Sequence, residues 1–141
     1  MQIRRLNEAL IGILTVGKAA ELGRQLVLAT DDKFAEKMGK SSDGVDPKTL
    51  QAWANGYIAL DAVISVTGVL GIIQGIRKNR KGAGQATLIQ GGALLLYSLY
   101  YLFYSLTIAK GGKQKAMNVV ASLGHTAAGV VIYRFAQKAL K

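Results

Sequence analysis

Apolar positions in this chain come in long runs separated by short charged breaks. "LQAWANGYIALDAVISVTGVLGIIQGI" covers 50–76, "AGQATLIQGGALLLYSLYYLFYSLTIA" covers 83–109, and "AMNVVASLGHTAAGVVIYRFAQ" covers 116–137. None of them alternates strictly, so none reads as a strand. An unpaired strand in lipid would also leave its backbone groups unsatisfied. A hydrocarbon core of ~30 Å needs about 20 helical residues at ~1.5 Å each, and all three runs are that long. The pattern predicts three transmembrane helices. The breaks "RKNRKG" and "KGGKQK" are short, which makes consecutive helices antiparallel neighbours.

The stretch 3–29 is helical in composition, with good helix formers and no proline. Lys18, Glu21 and Arg24 recur every three residues and share a side, while Ala9, Ile13, Val16, Ala20 and Val27 fall opposite. Two placements fit: a fourth span with its charges turned into a bundle, or a helix lying in the membrane interface. Residues 30–49 are polar and mixed in charge. They form a loop or a short surface helix, and Asp46–Pro47 supplies an N-cap followed by proline at the first helical position. The expected fold is all-α: one small polytopic membrane bundle over 1–141.

Charge supports that picture. The formal net charge is +10, and nucleic acid would need that charge gathered on one face. Here the basic residues flank the apolar runs instead, as they do around headgroups. The loop residues Arg77, Lys78, Arg80 and Lys81 are the clearest case. With four spans, nine basic residues (the loop four plus Arg4, Arg5, Arg134, Lys138 and Lys141) share a side. Seven (Lys33, Lys37, Lys40, Lys48, Lys110, Lys113 and Lys115) lie on the other, a small bias toward both termini inside. The chain has no cysteine, which excludes disulfides, thiolate catalysis and thiolate metal sites. No cleavable leader is expected, because Lys18, Glu21 and Arg24 soon interrupt the run 10–16.

Ionisable groups inside these runs are the candidate chemistry. Asp61 and His125 each lie near the middle of a span, where charge is costly and normally faces a partner or a wet cavity. Tyr97 is central in its run, and Tyr97, Tyr101 and Tyr104 share a face, with Tyr100 beside it. A buried phenol wants a hydrogen-bond partner. The expectation is a midplane polar cluster of Asp61, Tyr97 and His125, serving either as interhelical hydrogen bonds or as a ligand or proton site. Gly68, Gly71, Gly75 and Gly124 are expected at close helix contacts, Gly71 and Gly75 forming a GxxxG.

No glycine-rich fragment here is a phosphate loop, and no G-x-S-x-G elbow occurs. With one histidine, no all-histidine metal site can form within the chain. The expectation is a non-enzyme without cofactor or metal, whose partners are membrane lipids and other membrane subunits or copies of itself. Nucleic acid is not required. The leading role is a structural or accessory subunit of a membrane assembly. The alternative is a small oligomeric transporter or proton-linked channel using Asp61. The hairpin over 50–110, with its tight basic turn "RKNRKG" and the glycine-started apolar run "GGALLL", resembles the hairpin pilins of conjugation-type secretion filaments. That resemblance implies a filament subunit with the basic turn toward the lumen, and it does not cover 1–49 or 116–137.

Overall fold

The computed structural model describes residues 2–42 and 44–141, with side chains from residue 7 onward. The side chains of Arg4 and Arg5, counted above toward orientation, lie outside the described ones. Among the described residues the fold is all-helical. Its five helices are α1 (Gln2–Thr30), α2 (Asp32–Ser41), α3 (Pro47–Ile76), α4 (Arg80–Thr107) and α5 (Gly112–Leu140). Three of them, α3, α4 and α5, are long and apolar enough to cross a membrane.

Local chemistry sets the ends. Pro47 occupies the first turn of α3, where a missing N–H costs nothing. Asp46 stands at the N-cap position, but its carboxylate accepts from the Thr49 hydroxyl (3.3 Å) and bonds no backbone N–H. Asn79 caps α4 by accepting from the Gly82 N–H at 3.0 Å. That cap starts α4 at Arg80, earlier than its apolar run begins. Gly111, with φ +86°, turns the chain into α5. Asp31 caps α2 by accepting from the Phe34 N–H at 3.2 Å, so the polar segment between α1 and α3 contains a real short helix.

The long helices pack as neighbours in the order α1, α3, α4, α5, each antiparallel to the next, and α1 touches α5 only lightly. One apolar cluster joins Ile11, Tyr57, Ile64, Leu94, Tyr97 and Ile132. A second, of Leu28, Ala35, Val45, Leu50 and Ala54, pins α2 across the end of the bundle where α1 finishes and α3 begins.

Elsewhere the usual distribution is inverted. Large apolar side chains point outward, among them Ile13, Val16, Leu96, Phe103, Val120 and Leu123. The interior holds Thr15, Lys18, Asp61, Gln90, Asn118 and Ser122. Most small hydroxyls inside are met by their own helix. Thr15 donates to the Ile11 carbonyl, Thr87 to Ala83, Ser105 to Tyr101 and Ser122 to Asn118. Such residues can sit in an apolar helix without demanding water.

Candidate functional site

Lys18 lies near the middle of α1 and is 5% exposed. Its ammonium donates to Glu21 Oε2 at 2.8 Å and meets His125 Nε2 at 2.9 Å. It also sits over the Tyr97 ring, 3.4 Å from the centroid, in a cation–π contact. An ammonium has three hydrogens, and these three neighbours account for them. Asp61 Oδ1 is 3.9 Å away, close enough for charge attraction but too far for a hydrogen bond.

The tautomer of His125 follows from its partners. Nδ1 lies 2.8 Å from the Ala121 carbonyl, which can only accept, so Nδ1 carries the hydrogen. Nε2 is then the acceptor for Lys18. The ring stacks on Tyr97 at 4.8 Å between centroids and 21° between planes.

Asp61 is completely buried, and neither carboxylate oxygen has a hydrogen-bond partner among the described residues. Buried polar groups nearly always find partners, so this carboxyl is an exception that needs a reason. Below it, Gln90 Nε2 donates to Thr15 Oγ1 and to the Ile64 carbonyl, both at 3.1 Å. This junction ties α1, α3 and α4 together beside Gly68.

On the other side of the cluster lies a half-enclosed cavity of about 370 Å³. Glu21 and His125 stand at its inner end. Its walls carry Trp53, Tyr57, Tyr101 and Tyr104, and Met38 and Ser42 place it toward the α2 end of the bundle. Arg24, Gln25, Gln114 and Asn118 supply further polar lining.

The expected trio of Asp61, Tyr97 and His125 thus meets through Lys18, a residue whose direction periodicity alone does not decide. The expected partners of the tyrosines are corrected. The Tyr97 hydroxyl donates to Glu21 Oε1, and Tyr101 donates to Asn118 Oδ1 at 2.8 Å. Tyr100 donates to the Trp53 carbonyl at 2.7 Å. Asp61 accepts from none of them, because Glu21 stands closer to the tyrosine face. Tyr104 packs edge-on against Trp53 and Tyr57.

The glycine expectations divide. A Cβ on Gly68 would collide with Thr15 Oγ1 and come within 2.6 Å of Gln90 Nε2. A Cβ on Gly71 would lie 3.3 Å from Thr87 Oγ1, a tight approach that a small shift relieves. Gly75 and Gly124 meet nothing within 4 Å, so the close contact expected of them is not made among the described residues. The tight α4–α5 approach falls instead at Gly91 and Gly129. A Cβ on Gly91 would lie 2.8 Å from the Tyr133 nitrogen, and one on Gly129 would lie 3.2 Å from the Gly91 carbonyl. Arg77, Lys78, Arg80 and Lys81 form an exposed turn, with Lys78 at φ +59° and Arg80 donating to the Ala139 carbonyl at 3.1 Å.

No protein-family model, curated protein or solved structure matches the chain. The reading of this site therefore rests on its own chemistry. Among the described residues no group of three or more histidine, cysteine or acidic side chains could hold a metal ion.

Proposed function

We propose that the chain is a four-span integral membrane protein whose interior is a proton-linked path centred on Lys18 and Asp61. The carrying observation is Asp61 itself: fully buried, 3.9 Å from a lysine, and without a hydrogen bond to either oxygen among the described residues. A carboxyl set that way serves stability poorly, whereas buried ionisable groups at membrane depth mark ion and proton routes.

Three further features support the reading. The outward faces are apolar, and the fold has three candidate spans. In α1, the exposed Ile13 and Val16 would face lipid while Lys18 points inward, which lets this charged helix span as well. Finally, the cavity reaches the cluster from the α2 end, while Thr15, Gln90 and the Ile64 carbonyl pack beyond it. A gated path requires an open side of this kind and a plug of packed side chains beyond it.

The test uses the absence of native cysteine. A single cysteine at Ala121, in the cavity wall, should react in proteoliposomes with a membrane-impermeant thiol reagent from the α2 side only. A cysteine at Leu96, on an outward apolar face, should not react from either side. Equal reaction at both positions would count against the path.

A second reading, a structural subunit built on helix–helix contacts, is favoured by Gly75 and Gly124. Both are small positions on apolar helices, open to another chain. The filament-subunit resemblance has less behind it, since the α3–α4 hairpin is flanked by α1 and α5.

A further inference from the structure

We propose that the cavity is a binding site for a small amphipathic anion: one carboxylate or phosphate group carried on a compact apolar body. This goes beyond the proton-path reading and does not depend on it.

The size fits, since about 370 Å³ lies within the range of small-ligand pockets. The cavity is also built to be filled. Gln25 Oε1 and the Tyr57 hydroxyl are buried, line it, and have no hydrogen-bond partner among the described residues. The Tyr57 hydroxyl can donate to the ligand's anionic group, whereas Gln25 Oε1 only accepts and is met by a donor elsewhere on the ligand, not by the anion. Trp53 and Tyr57 offer ring surface for the apolar body.

The sign of the charge follows from which groups are already used. An aromatic wall beside a carboxylate would ordinarily suit a cation. Here Glu21 is occupied: Lys18 donates to one oxygen and Tyr97 to the other. The Tyr97 face is covered by the protein's own ammonium. Arg24, in contrast, is exposed at the cavity and makes no ion pair or hydrogen bond among the described residues. Its planar fork of donors matches a carboxylate or phosphate. Asn118 accepts with Oδ1 from both Tyr101 and Gln114, which leaves its amide hydrogens to donate as well. Arg24, the Tyr57 hydroxyl and the Asn118 amide are therefore the free donors at the cavity, and Arg24 is the one cation among them.

Two sources share this chemistry, a free amphipathic acid and an anionic lipid headgroup. The test uses the full chain in phosphatidylcholine nanodiscs without any gradient, so failure of the proton-path reading does not affect it. Trp53 is the single tryptophan and lines the cavity, so its emission reports occupancy. Three probes of one shape are titrated: cyclohexanecarboxylate, cyclohexanecarboxamide and cyclohexylmethylammonium. The expected result is saturable binding of the carboxylate, tighter than both others by about tenfold, with Arg24→Gln abolishing the preference and Arg24→Lys keeping part of it. Adding phosphatidylglycerol separates the sources: competition with the carboxylate assigns the site to a lipid headgroup, and no competition assigns it to a free acid. Equal or tighter binding of the ammonium, no saturable binding of any probe, or an unchanged preference in Arg24→Gln would overturn the proposal. Should Arg24→Gln fail to fold, the three probes on the unaltered chain still decide.

Discussion

Lys18 and His125 stand 107 positions apart and meet at 2.9 Å, a side-chain hydrogen bond between the first and last long helices. α1 and α5 otherwise touch lightly, so this bond draws the row of helices toward a closed bundle around the charge cluster. The same ammonium holds Glu21, covers Tyr97 and faces Asp61. Closure of the fold and assembly of the site are therefore one event.

Lys18→Met should be severely destabilising. It leaves Glu21 and Asp61 in the interior without their cation, and breaking a buried ion pair from one side costs about 3–5 kcal/mol. Unfolding in mixed micelles measures this. The double variant Lys18→Met with Glu21→Gln should recover part of the loss, because one stranded charge is removed. A single-variant loss below about 1 kcal/mol would mean that the cluster does not hold the bundle.

The glycines provide an internal contrast. Gly68→Ala pushes a methyl into Thr15 and Gln90 and should cost about 1–3 kcal/mol, through lost Gln90 hydrogen bonds and forced separation of α1, α3 and α4. Gly124→Ala meets nothing and should be neutral or gain up to about 1 kcal/mol from helix propensity. If both variants behave alike in thermal unfolding, the assigned packing is wrong. A Gly124→Ala protein that folds normally but loses native oligomer mass would favour the structural-subunit reading.

The tautomer of His125 is directly observable. Nitrogen-15 spectra of the single histidine should show a neutral ring with hydrogen on Nδ1, and Lys18→Met should alter the Nε2 resonance most. A ring protonated on Nε2 alone would be incompatible with acceptance from Lys18.

Run length, together with the need to satisfy every backbone group, makes the long helices legible in the sequence. Their boundaries differ by a few residues where caps intervene, as at Asn79 and Pro47. The tyrosine face is legible for the same reason, because offsets of four and seven fix a side of a helix. Pairing across helices is not. Periodicity places Lys18, Glu21 and Arg24 together but carries no sign for inward or outward. The decisive contact, Lys18 to His125, lies between helices at opposite ends of the chain. GxxxG spacing at Gly71 and Gly75 offers room for a neighbour, but which helix approaches depends on rotation about the axis. Closer approaches than at these two fall at Gly68, at Gly56 against the Tyr100 ring, and at the Gly91–Gly129 crossing.

The proposed function turns on Asp61 carrying protons through a membrane. Proton flux in proteoliposomes under an imposed potential, compared between the natural chain and Asp61→Asn, decides it. Asparagine keeps the size of the side chain and removes the titrating group. Measurable flux is expected in the natural protein and its loss in Asp61→Asn, with helix content and native mass unchanged. Equal flux in both proteins, or none in either, would rule the proton path out.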